Sequence, residues 1–233
     1  MKRIRIALLV ASIALLASCS KVPQVTQQPL VALPSVPRLT SAALDLIVEF
    51  EVGGRSGYKP RPEAPDARLS GITEGIGYDN STVSSAVIVA DWRALPHGQP
   101  QRLAATHPFT GRAAQMHLSD VHDIMVPWND ALDVFQNVDV ARVWMQCRRA
   151  FPGFDALRPN AQGALLSLVF NRGPGMMGDS RREMRAIASL TLSRDYPRIA
   201  SQLTVMPRVW QGTEIYLGMR RRRIAEAALL LTE

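Results

Sequence analysis

Six glycines crowd between positions 53 and 77, at Gly53, Gly54, Gly57, Gly71, Gly75 and Gly77, whereas the apolar residues on either side recur at helical spacing. Such a cluster stops a helix and admits tight turns and close backbone approach. It confines any sheet to residues 55–80. The expected class is therefore α+β: a mainly helical body with a small antiparallel β region near the N-terminal part of the domain.

The flanking patterns fill in that outline. Thr40 or Ser41 can cap a first helix whose apolar stripe runs Leu44, Ile47, Val48. The next position on the stripe is Glu51, and Gly53-Gly54 closes the helix. Glu49 lies on a different face and reads as solvated, so Glu51 is the acid set toward the interior. A hairpin is expected to end near Gly71 to Tyr78, with Gly75 and Gly77 on one side of a strand. Further helices are expected at 82–94, 111–118, 128–149, 160–171, 180–190, 193–203 and 218–231. Pro96, Pro108, Pro127, Pro152 and Pro159 fall between them or at their starts.

The first residues read as a processing signal. Met1-Lys2-Arg3-Ile4-Arg5 is basic, and Ile6 to Ala17 is apolar. That run rises only about 18 Å as a helix, short of a hydrocarbon core of about 30 Å. It ends in Leu16-Ala17-Ser18-Cys19, which resembles the bacterial lipobox, with Cys19 as the lipidation site. Residues 1–18 are then a signal peptide. Residues 19–39, with Pro23, Pro29, Pro34 and Pro37, are a lipidated, extended tether. Residues 40–233 are the domain, long enough for one substantial core. Multiple acyl chains would hold the chain on a membrane. Ser20, rather than Asp, after the cysteine resembles the outer-membrane sorting signal. The expected location is the cell envelope, facing the periplasm.

This assignment reframes composition. Loss of the leader removes Lys2, Arg3 and Arg5 from a chain of net charge +7 and takes no acid with them. The remaining charge suits an anionic wall polymer. It does not require nucleic acid. Four consecutive arginines, Arg220 to Arg223, spread over every face of a helix and cannot form one binding stripe, so one or two are expected to pair inward. Of two cysteines, Cys147 is left without a partner and reads as a small buried hydrophobe. His117 and His122 lack metal-ligand spacing, so no metal or other cofactor is expected. No obligate protein partner is implied. Trp92, Trp128, Trp144 and Trp210 read as packing residues.

Three blocks carry a resemblance. The first is Glu51, Tyr58 and Thr73-Glu74-Gly75-Ile76-Gly77. The second is Leu165 to Gly173, including Asn171-Arg172. The third is Trp210 with Gly218 to Ala227. In this order they resemble the phage-type lysozymes. That resemblance implies a lysozyme-like fold and a peptidoglycan muramidase, cutting the β-1,4 bond from N-acetylmuramic acid to N-acetylglucosamine. It implies Glu51 as catalytic acid and Thr73 as a residue that orients water. Glycan strands are the implied partner. Tyr58, Asn171 and Arg172 are the candidate substrate-binding residues.

The second carboxylate departs from the family pattern, because the usual position after the tyrosine is Pro60 and the loop 59–70 is longer. The pesticin-like branch has its Asp six residues after the Thr, which is Asp79 here. Asp79 is therefore the first candidate, ahead of Asp66, Glu74 and Glu63. Its competing role is to cap the turn Asp79-Asn80-Ser81-Thr82. The expected reaction is inverting hydrolysis, with Glu51 protonating the leaving oxygen and lifted in pKa by Leu44, Ile47, Val48 and Phe50. A lytic transglycosylase and a non-catalytic peptidoglycan-binding lipoprotein are the alternatives.

Overall fold

The computed structural model describes residues 38–64 and 70–233. Residues 1–37 and 65–69 lie outside the described residues, and with them the signal peptide, Cys19, nearly all of the tether, and Asp66. The remainder is mainly helical with one two-stranded antiparallel sheet. Among the described residues no helix is long and apolar enough to cross a membrane.

The first helix, α1 (Ser41–Val52), starts where the sequence reading sets it. The Thr40 side chain accepts from the Ala43 N–H at 3.1 Å. Ala43, Ile47 and Val48 are its buried face and Leu44 is half-buried, so the stripe leads to Glu51 as expected. Gly53 ends α1 with φ at 71°, a left-handed conformation that glycine adopts at little cost. A single helical turn, α2 (Gly54–Gly57), follows. The hairpin is β1 (Thr73–Glu74) and β2 (Tyr78–Asp79), pairing Thr73 with Asp79 and Glu74 with Tyr78. Gly75 and Gly77 do not share a strand face. Both have positive φ, 61° and 77°, and with Ile76 they form the turn, which shortens the strands to two residues each.

The helices that follow are α3 (Ser85–Asp91), α4 (Gln99–Ala104), α5 (Gly111–His117), α6 (Trp128–Val134), α7 (Val140–Ala150), α8 (Pro159–Arg172), α9 (Arg182–Ser193), α10 (Tyr196–Val205) and α11 (Tyr216–Leu231). A π-helical stretch, Phe135–Asp139, joins α6 to α7 and makes one near-continuous rod of the expected 128–149 segment. The helix α4 was not anticipated. Gly98-Gln99-Pro100 looks like a turn, but Pro100 sits in the first turn of a helix, where a missing N–H costs nothing.

α8 is the centre of the fold. Its buried residues run from Asn160 to Val169 with little interruption and cover every face, the mark of a core helix rather than a surface one. α1, α7 and α11 pack around it. The closest approach is at Gly163, where an added Cβ would overlap the Cβ of Ala43 in α1. Cys147 is fully buried against this core, its Sγ 3.7 Å from the Leu165 carbonyl, and burial pushes the thiol pKa upward. Trp92 and Trp144 are buried as packing residues, edge-on to Tyr78 and Phe154. We expect Gly163→Ala to force α1 away from α8 and cost about 1–3 kcal/mol. Thermal unfolding should show this as a fall in Tm of several degrees.

Candidate active site

The site begins with a buried ion cluster that holds the end of α1. Glu51 is the penultimate residue of α1 and its side chain is 18% exposed. Arg222 Nη1 of α11 lies 2.6 Å from Glu51 Oε1. The same guanidinium reaches Glu226 Oε1 through Nε at 3.2 Å and donates from Nη2 to the carbonyl and hydroxyl oxygens of Ser167, each at 3.1 Å. Ser167 in turn donates to Glu226 Oε1 at 2.7 Å. Arg223 contacts Glu226 Oε2 at 3.0 Å and donates to Asn171 Oδ1 at 3.0 Å.

Arg222, Arg223 and Glu226 are all essentially inaccessible to solvent. Burying them is tolerable because each charge meets an opposite one with further hydrogen bonds. The expectation that one or two of the four arginines face inward is met by Arg222 and Arg223, while Arg220 and Arg221 are exposed. No local pattern links Glu51 to Arg222, which holds it across the domain. The surround of Glu51 is thus a cation as well as the apolar Ile47 and Val48.

The second component is the hairpin. Side chains alternate across a strand, so Glu74 and Tyr78 face the core, both 2% exposed, and Thr73 and Asp79 face the other way. A third segment extends this outer face. Glu63 and Thr73 form an antiparallel bridge, with Glu63 N–H to Thr73 O at 2.9 Å and Thr73 N–H to Glu63 O at 2.8 Å. Directly opposed residues share a face. Glu63, Thr73 and Asp79 therefore form one transverse row.

A cavity of about 250 Å³ opens here, lined by Glu51, Glu63, Thr73 and Glu74 and floored by Gly57, Gly75 and Gly77. Glycine at 77 keeps the space clear, since a Cβ there would stand 3.3 Å from Glu51 Oε2. A larger open cavity of about 820 Å³ continues from it, with Lys59, Arg61, Glu63 and Thr73 common to both and Leu118 and His122 on its far wall.

The structure brings Glu51 and Thr73 together in one cavity. It sets Asp79 beside Thr73 but outside the lining of both cavities. Asp79 Oδ1 accepts from the N–H groups of Gly71 and Ser81, at 3.0 and 2.9 Å, and from the Ser81 hydroxyl at 2.7 Å. It caps the short 3-10 turn Asn80–Thr82. Tyr58 donates from Oη to the Val126 carbonyl at 2.8 Å and packs edge-on against Trp128. Asn171 is occupied by Arg223. Arg172 stacks over Trp210 at 4.6 Å and donates to the Ser180 carbonyl. Burial, with the charges of Arg181 and Arg223 nearby, pushes the Arg172 guanidinium down to about 10. Tyr58, Asn171 and Arg172 are not among the residues lining the Glu51 cavity. Among the described residues no group of three or more His, Cys, Asp or Glu could hold a metal ion.

Local spacing gave no signal for the Glu63–Thr73 pairing, which joins segments on either side of residues 65–69. The only hint lay in the Pro60 and Pro62 that bracket Arg61 in an extended stretch.

No protein-family model matches this chain, and no curated protein matches it significantly.

Glu74 supplies a pH signature. Its Oε2 accepts from Asn80 Nδ2 at 3.0 Å, while Oε1 has no hydrogen-bond partner among the described residues, and burial pushes the carboxyl well above the usual range. A raised folded pKa means that the native state holds the proton more tightly. Stability is then greatest below the unfolded pKa of about 4.3 and declines as pH rises toward the folded value. Asp139, raised by burial to about 7, adds a decline with the same sign up to that pH. We expect the melting temperature of wild type to fall from about pH 4 to about pH 7 and Glu74→Gln to flatten part of that slope. The cluster makes a separate prediction. Glu226→Ala strands two buried guanidinium groups and should destabilise by about 3–5 kcal/mol, measured by urea unfolding.

Proposed function

We propose that the domain has a lysozyme-like fold and is a muramidase, hydrolysing the β-1,4 bond between N-acetylmuramic acid and N-acetylglucosamine in peptidoglycan. The observation that carries this reading is the pairing of Glu51, gripped at one oxygen by a buried arginine, with Thr73 across a small glycine-floored cavity. A glycosidic oxygen leaves poorly unless protonated, so cleavage needs an acid held at one position beside the strand. Arg222 takes Glu51 Oε1, and Oε2, on the Gly77 side, is the oxygen that carries the proton to the leaving group. The Thr73 hydroxyl, whose bond to the Gly71 carbonyl is long at 3.4 Å, is available to orient water. A carboxylate from the row containing Thr73 activates that water on the opposite face of the sugar, giving inversion. Glu63 and Asp79 are the two carboxylates of that row.

The glycine floor supports the reading physically. A sugar ring needs backbone-level access to come between the two groups, and Gly77 leaves that room beside Glu51. The wider cavity toward Leu118 and His122 lets a strand extend beyond the cleaved bond. A lipid at Cys19 would keep the domain at the envelope membrane, within reach of the wall.

Purified peptidoglycan incubated with the protein should release reducing muropeptides, identified by chromatography and mass. Glu51→Gln should lower the rate by about 10²–10⁴-fold while retaining sacculus binding. Anhydro-ended products instead would assign a lytic transglycosylase. Binding with no released product from wild type would leave a binding lipoprotein.

A further inference from the structure

We infer that Glu63, not Asp79, is the carboxylate that activates water. This inference rests on the muramidase reading. Both residues flank Thr73 on the same face of the small sheet, Glu63 through the bridge on one edge and Asp79 through the hairpin on the other. What separates them is where each side chain stands and what it is already doing. Glu63 lines the cavity that contains Glu51, and it also lines the larger cavity beyond, as Thr73 does. It therefore stands where a glycan strand passes from one space to the other. Asp79 lines neither cavity. One of its oxygens is committed to three donors that build the turn Asn80–Thr82. Two backbone N–H groups and a hydroxyl on Oδ1 fix this side chain in the turn, outside both cavities.

Glu63 caps no turn. Among the described residues its side chain meets Lys59 alone, at 2.6 Å from Oε1, on the exposed rim. The ammonium balances the charge, and Oε2 is left to work. Its backbone is pinned to Thr73 by two hydrogen bonds, so the side chain starts from a fixed point beside the water-orienting hydroxyl. In the reaction a water oxygen bonds to the anomeric carbon as the glycosidic C–O bond breaks. Glu63 takes the proton released by that water, and Glu51 gives its proton to the departing oxygen. Solvent returns the proton from Glu63 to Glu51 before the next turnover. No other reactant is needed.

Exogenous anions test the assignment, because a small nucleophile can replace an activated water only where the missing group was the base. The full chain is assayed on purified peptidoglycan as wild type, Glu63→Ala, Glu63→Gln and Asp79→Ala, with melting curves for each. We expect Glu63→Ala to keep its melting temperature and sacculus affinity and lose at least 100-fold in kcat. Azide should restore cleavage and give the α-glycosyl azide. Glu63→Gln should lose the acidic limb of the kcat/KM profile. Asp79→Ala should melt lower but keep kcat within a few fold, with no azide effect. An active wild type whose Glu63→Ala variant is equally fast, or azide rescue confined to Asp79→Ala, overturns the inference and leaves the muramidase reading standing. A wild type that yields no reducing end, with or without azide, sinks both.

Discussion

Everything at the cavity depends on one buried guanidinium. Arg222 projects from α11 into the place where α1, α8 and α11 meet, and there it pairs with the Glu51 carboxylate and hydrogen-bonds Glu226 and the Ser167 hydroxyl and carbonyl. A charge without water is costly unless every donor finds an acceptor. The three helices consequently cannot shift relative to one another without stranding a donor or an acceptor. The rigidity that the interior demands is the same rigidity that fixes the end of α1. Precision at Glu51 follows from packing rather than being added to it.

The hairpin is held by a different device. It is only two residues long on each side, too short to be stable alone. Its inward row, Glu74 and Tyr78, is locked by the core: Tyr78 packs on Trp92 and donates to Asp91 at 2.8 Å, and Glu74 joins Asn80 and Thr106. The outward row is then free to face solvent in a defined register. A buried acid with an unpartnered oxygen is an expensive anchor, and the hairpin keeps it beside the residues that face the cavity.

Much of this was legible in the chain itself. The stripe Leu44, Ile47, Val48 predicts that Glu51 turns inward, and the helix boundaries from Gly111 to Leu231 follow the proline and glycine punctuation within a few residues. Local pattern fails where a residue's role is set by something distant. Helical periodicity says that some of Arg220 to Arg223 face inward, but not that Arg222 would meet an acid from the opposite end of the domain. Alternation suggests that Gly75 and Gly77 share a strand face, yet a sheet two residues deep makes them its turn. The expected helices leave out 99–104, yet Pro100 sits in the first turn of one there. The bridge from Glu63 to Thr73 is invisible for the same reason, since it joins two segments ten residues apart that share no period.

The ion pair between Glu51 and Arg222 also orders events in time. The acid belongs to the first helix of the domain and its clamp to the last. A chain emerging N-terminus first presents Glu51 long before Arg222 exists to hold it. Until α11 docks, α8 lacks the partner that covers Ser167, and the carboxyl at the end of α1 has neither fixed direction nor a wall behind it. In a half-made or C-terminally clipped chain Glu51 therefore has no clamp, and its direction is set only with the closing of the final helix.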